Sequence, residues 1–384
     1  MSNEHIGRLK KIGLGKESTS GTPVSADVWI PATEIAFSPD IVKARDESAY
    51  GTIDQLRESI TTREATSTEM KGIFRDLFGG MLLMAALGQD TLVYDMTLSG
   101  ASGNFVVGET VTQATSGATG VVRKVLTSTR LLVEVTSGVF TSGSNVITGG
   151  TSGATGTPTY TAALYGHLFQ RLNNNTHPSF TMYSTDPVET MRSPYTMLES
   201  LEIEASADGF VMFSSKWMGK KMASTTATPS YENEQSLMGS GGTMKMGNTL
   251  TLAFAASATP ITNFKMTIAK NLEMYQAFGS TDVQSIHNKQ FKVTGEITAL
   301  FNAATLRDLV TASTKKGVLV DILATNSPAS RLMIMLPKVT FENWSGTNGN
   351  DELVMQTIGF EMEYSVDDGE GISICLENSN SSEY

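Results

Sequence analysis

Residues 289–341 read KQFKVTGEITALFNAATLRDLVTASTKKGVLVDILATNSPASRLMIMLPKVTF. In the opening part Phe291, Val293, Gly295, Ile297, Ala299 and Phe301 alternate with Lys292, Thr294, Glu296 and Thr298. Period two is the mark of a strand with one face in a core and the other in solvent. Asn302 stands where a helix N-cap belongs, its side chain able to accept from the free N–H groups of the first turn. Leu306, Leu309 and Val310 form the buried stripe of that helix, and Gly317 is placed to stop it. Two strands follow, Val318 to Leu323 and Leu332 to Leu336, the second ending at Pro337 because proline cannot donate to a ladder. Strand, helix, strand, strand in so short a stretch predicts a mostly β protein with a flanking helix.

The alternation recurs on both sides. Upstream lie Leu164 to Leu172, the strand PSFTMYSTD, Leu201, Ile203 and Ala205 against Glu202 and Glu204, and a partner from Phe210 to Gly219 reached through an Asp208-Gly209 turn. Phe264, Met266 and Ile268 lead into the opening stretch; Ile358, Phe360, Met362 and Tyr364 oppose Glu361 and Glu363, and Gly371 to Leu376 adds a last strand. Residues 1–26 are polar and predict an extended arm without much core, with strand signals at Val28, Trp29 and Ile35 to Phe37. From Pro39 to Met70 the chain is charge-rich and poor in apolar anchors, which predicts a long projecting hairpin. Phe74, Leu77, Phe78, Met81, Leu82 and Ala85 predict an amphipathic helix that closes one side of a sheet. Ser224 to Gly247 predicts a long exposed loop, and the tail from Glu377 a loose end.

Between residues 98 and 160 the composition changes and TSGATG occurs twice, at Thr115–Gly120 and Thr151–Gly156. Each copy follows a phenylalanine and a glycine at the same distance to within one residue, Phe105 with Gly108 and Phe140 with Gly143. Val-rich runs around these turns predict a small inserted β domain, so the chain divides as 1–97, 98–160 and 161–384. The insert has Arg123, Lys124 and Arg130 against Glu109 and Glu134, a net +1, so with −11 overall the rest of the chain carries −12 and the acidity lies wholly there.

That acidity argues against gripping nucleic acid by its phosphates. With Cys375 as the single cysteine, disulfides within the chain and Cys-based zinc clusters are excluded. No secretory pattern opens the chain, and the apolar run Ile73–Leu87 is too short to span a bilayer, so no membrane is expected and folding in a cytoplasm is. His5, His167, His177 and His287 have no paired spacing for a metal. No nucleophile elbow, P-loop or dinucleotide fingerprint is present, and the Gly239–Gly242 GSGG reads as a flexible loop. Cys375 beside Ile374 reads as a buried structural thiol, and the scattered methionines as core filling. Glu202 with Glu204 and Glu361 with Glu363 could pair as acid and base in a glycosidase, but residues two apart on a strand share a face that solvent usually fills with charge. No catalytic, cofactor or metal site is expected.

Several stretches resemble the tail tube (major tail) proteins of long-tailed, siphovirus-type bacteriophages: GLGKESTSGTP from Gly13, HLFQRLNNNTHPSFTMYSTD from His167, LESLEIEASADGFVMFSSKWMGK from Leu198, and QFKVTGEITALFNAATLRDLV followed by LMIMLPKVTF. They keep the family's order outside residues 98–160. The resemblance implies a β-sandwich or barrel with a flanking helix, forming homo-hexameric rings that stack into a tube. It implies a virion protein assembled in the bacterial host cytoplasm beside tape measure, distal tail and tail terminator proteins, through whose lumen DNA passes without specific binding. Carboxylates in the lumen would repel DNA, and Glu202, Glu204, Glu296, Glu361 and Glu363 are the expected lining. Arg45, Asp46, Glu47, Arg57, Glu58, Arg63 and Glu64 on the hairpin are the expected contacts between rings. The insert departs from the simplest family pattern and is expected outside the tube as an Ig-like or other small β decoration. The alternatives are a tail terminator or secretion-tube protein, or a virion adhesin whose insert binds cell-surface carbohydrate.

Overall fold

The computed structural model describes residues 6–175, 177–325, 329–347 and 353–384. Its ladders are antiparallel, and the strand Arg331–Thr347 links its two large sheets. The first half of that strand pairs with Lys316–Ala324 on one side and Ser373–Asn378 on the other. After a register shift that spans Pro337, the second half pairs with Met355–Met362. The strand expected to end at Pro337 therefore continues: the missing N–H opens the ladder locally, and the bulge turns the chain from one sheet into the other.

One sheet runs in the order Gly88–Ser102, Tyr165–Arg171, Ser373–Asn378, Arg331–Thr347, Lys316–Ala324, Leu237–Gly247. The other runs from the far half of Arg331–Thr347 through Met355–Met362, Lys292–Leu300, Asn263–Ala269, Thr190–Ser206, Met212–Lys220 and Glu58–Ile73 to Ala32–Asp46. A small third sheet joins Val28–Ile30, Lys11–Lys16, Phe180–Thr185 and the near half of Thr190–Ser206. Helix α1 (Asp76–Leu87) lies in the core, with Phe78 to Leu87 all buried. It is apolar all round rather than amphipathic, because protein covers every side of it. Gly79 makes room for the Phe74 ring and Gly80 for the Tyr384 ring: a Cβ on either would come within 2.5 and 2.1 Å of ring carbon.

Several local expectations give way to packing. The 1–26 arm contains a core strand, since Ile12 and Leu14 are fully buried; His5 lies outside the described residues. Half of the expected 224–247 loop is the strand Leu237–Gly247, and the Gly239–Gly242 run sits at its bulge. Helix α3 (Thr305–Thr311) starts after Ala304 without a side-chain cap, so Asn302 is not its N-cap. Ser313, with φ 50°, turns the chain after it. Gly317 lies inside the next strand, where a Cβ would come 2.5 Å from the Leu250 nitrogen of α2 (Leu250–Ala255), a helix the sequence pattern did not reveal. The tail is docked: Tyr384 N–H donates to Asp90 (3.0 Å), Asn378 donates to the Tyr384 hydroxyl (2.8 Å), and His167 Nε2 meets the Asn380 carbonyl (3.1 Å). Cys375 is fully buried, which pushes its thiol pKa up.

Residues Tyr94 to Thr159 close a small barrel. Its ring of ladders runs from Gly88–Ser102 to Thr155–Thr159, Ile147–Gly149, Thr110–Gln113, Ala118–Thr127, Arg130–Ser137 and back to Gly88–Ser102. It has its own core, which includes Phe105, Val122, Leu131, Val133 and Phe140. The repeated hexapeptide is a repeated turn: Gly117 and Gly153 take φ of 69° and 66°, and Ser116 and Ser152 each accept from the N–H two residues on.

Candidate assembly surface

Alternation fixes the exposed side of the eight-strand sheet. Leu201, Ile203, Phe264, Met266, Val293, Ile297, Ile358 and Phe360 go into the core, so the residues between them face outward. Register aligns them in rows across the strands. One row runs Lys71, Ser214, Glu202, Thr267, Thr294, Glu361, Thr340, and the next Glu204, Lys265, Glu296, Gly359, Glu342. Glu363 joins the same face through the Thr340 hydroxyl. All five carboxylates expected to lie together do share one surface.

That surface is mixed in charge rather than uniformly acidic. Glu202 pairs with Lys265 (2.9 Å), Glu361 with Lys292 (3.0 Å), Glu34 with Lys71 (2.8 Å), Glu69 with Lys216 (3.1 Å), and Glu363 with Lys315 (2.7 Å) and Lys338 (3.1 Å). Lys315, then the Thr340 hydroxyl and Lys338, hold the Glu363 carboxyl down to about 2. The Glu202 hydrogen bond and charge raise the Lys265 ammonium, with Glu204 and Glu296 adding to it. Alternation already placed Lys292 on this polar side; Lys265 and Lys71 stand at the same alternating positions and were legible by the same rule.

The expected hairpin is present. Ala32–Asp46 pairs with Glu58–Ile73 from end to end; residues 65–73 gain a second partner in Met212–Lys220, and Glu64 adds a single parallel bridge to Asp282. Beyond Ala65 a two-stranded ribbon projects, roughly 20 Å long from Asp40 to Asp46 at strand rise. Of the charged residues assigned to it, Arg63 and Glu64 are engaged at its base, with Asp40 (3.0 Å) and with Lys221 respectively. Arg45, Asp46, Glu47, Arg57 and Glu58 cluster near the tip, where Arg57 donates to the Tyr50 hydroxyl (2.6 Å) and lies over its ring. The Ser48 hydroxyl and N–H and the Tyr50 hydroxyl lower the Asp46 carboxyl. The sequence reading passed over the apolar residues there: Ile41, Val42, Ile53, Leu56 and Ile60 are all exposed, Ile53 completely. An isolated ribbon is marginal in water, and one carrying such side chains lacks a covering surface.

The other polar clusters are internal. Between barrel and body a cavity of about 660 Å³ is lined by Tyr94, Asp95, Arg130, Tyr160, Arg331 and Glu377. Arg130 clamps Asp95, Arg331 clamps Asp321 (2.7 Å), and Lys124 of the barrel pairs with Glu370 of the body. Burial, then Asp95, pushes the Glu377 carboxyl up to about 8. Among the described residues no group of three or more His, Cys, Asp or Glu is placed to hold a metal, and no helix is long and apolar enough to cross a membrane. Glu202 lies on the open sheet, and Glu361 lines a half-open hollow on the same face with Lys292, Glu296, Glu342 and Trp344.

No curated protein matches the chain. The family model described as phage tail tube protein matches residues 7–362, nearly the whole chain and across the barrel. A mostly β chain with this sheet face and projecting ribbon is therefore a member of the phage tail tube protein family, a structural component of the virion.

Proposed function

We propose that the chain assembles as stacked hexameric rings into the tail tube of a siphovirus-type phage, the conduit through which the genome is ejected into the host. The observation that carries this reading is the eight-strand sheet with open edges. Among the described residues, Ala32–Asp46 has a ladder on one side only, and residues 340–347 pair only with Met355–Met362. Open edges are stable when another strand covers them. Side by side, six copies join these edges into a continuous barrel whose polar face lines the lumen. Glu204, Glu296 and Glu342, which have no close ion pair with a lysine among the described residues, leave the face mildly acidic, so DNA phosphates pass without specific binding. The ribbon around Arg45 to Glu58 reaches the next ring. On this reading the chain divides as 1–97 and 161–384 for the tube and 98–160 for a decoration on the outer wall. Assembly takes place in the host cytoplasm with tape measure, distal tail and tail terminator proteins, and the protein performs no catalysis.

Negative-stain electron microscopy of the purified protein tests this, beside a variant in which Thr97 is joined to Thr159 by a short turn. These residues oppose each other on one ladder, so excision leaves neighbouring chain ends. Hollow tubes from both proteins, thinner in the deletion, are expected. Monodisperse monomers under every condition would overturn the reading.

A further inference from the structure

At the C-terminal end of α1 a small polar cavity of about 80 Å³ is lined by Arg171, Asn173, His177, Lys270, Asn288 and Lys289. This is the liquid volume of two to three waters at about 30 Å³ each. Lys270 is 1% exposed and spends one donor on the Ala85 carbonyl (2.8 Å), capping the helix end. His177 is 5% exposed and uses Nε2 on the Leu172 carbonyl (2.9 Å), while its Nδ1 has no partner. Both amide atoms of Asn288 are buried without a partner. Among the described residues lining the cavity there is no carboxylate. Burial brings the Lys270 ammonium down to about 7, and burial together with Lys270 brings the His177 imidazole down to about 4.

Buried polar groups without partners are rare and costly, and here several converge on one space. Lys270 and the Asn288 amide nitrogen have donors to spare, and Arg171 adds positive charge. Because Nε2 donates to Leu172, His177 Nδ1 presents a lone pair, so the site also needs a donor from its occupant. We propose that this cavity binds a small oxyanion that carries a proton, of the hydrogen phosphate class. Its oxygens accept from Lys270 and Asn288 while its hydroxyl donates to His177 Nδ1. Sulfate has the same shape and no proton to give at neutral pH.

The probe is inorganic phosphate added to the full chain, against sulfate at matched ionic strength, followed by ³¹P line broadening and thermal unfolding. Saturable broadening and a saturable rise in Tm are expected with phosphate, with a much smaller rise for sulfate. Asn288→Ala removes no hydrogen bond from the free protein, so it should fold, and it should weaken phosphate roughly tenfold by loss of a charge-assisted bond. An unchanged phosphate response in Asn288→Ala, or equal stabilisation by sulfate and phosphate, would overturn the proposal. Should that variant fail to fold, the comparison of the two anions on the native chain decides alone.

Discussion

Replacing Ile53, Leu56 and Ile60 together by serine removes apolar surface from the ribbon while leaving the core untouched. Their exposures are 105%, 46% and 57%, so the equivalent of about two side chains stands in water in the free protein. At about 1.5–3 kcal/mol per fully buried aliphatic side chain, covering that surface in an assembly contributes about 3–6 kcal/mol per copy. Losing it raises the concentration needed for tube formation about 10²–10⁴-fold. In the unassembled protein the same change falls among surface substitutions, within about 0.5 kcal/mol per site. Sedimentation of tubes over a concentration series, with thermal unfolding of the soluble fraction, separates the two effects. Tubes at the wild-type threshold would refute the assignment of the ribbon to a subunit contact, and a strongly lowered Tm would show that these side chains support the monomer instead.

Glu363→Gln should lower stability at pH 7 by at most about 1 kcal/mol, as its pairs with Lys315 and Lys338 are near the surface. Its folded pKa of about 2 lies below the ordinary 4.5, so the contribution is complete above pH 4.5 and vanishes as pH falls toward 2. Urea unfolding of both proteins at several pH values checks that they converge in acid and not in base. Gly80→Ala gains about 1 kcal/mol of helix propensity, yet its Cβ would lie 2.1 Å from the Tyr384 ring. Overpacking of about 1–3 kcal/mol should win, and limited proteolysis should trim the tail from the variant first; a stabilised variant with a protected tail would contradict the packing argument.

The sequence was most legible where one face of a strand is core and the other solvent. There Phe264, Met266 and Ile268, or Val293 and Ile297, announce themselves by period, and the same rule put Glu202, Glu204, Glu296 and Glu361 each on the polar side of its own strand; register then brought those sides onto one surface. It failed where a segment's environment is made by distant chain. Lys11–Lys16 looked like a loose arm because its glycines and lysines carry no period, but Ile12 and Leu14 are buried by strands 180–185 and 28–30. The tail looked loose because nothing local shows that α1 has a groove for Tyr384 at Gly80. Pro337 reads as an end because a proline weakens any ladder, and only the two-sheet architecture turns that defect into a corner.

By itself, then, the sequence determined which residues alternate, where turns interrupt them, that the repeat stands apart in composition, and which family the chain resembles, since these are properties of neighbours along the chain. Which sheet each strand joins, which lysine neutralises which glutamate, and which apolar residues of the ribbon are left uncovered were decided only in three dimensions. Burial and ion pairing depend on residues brought together from far apart, and cross-strand register, which no local pattern contains, sets who meets whom.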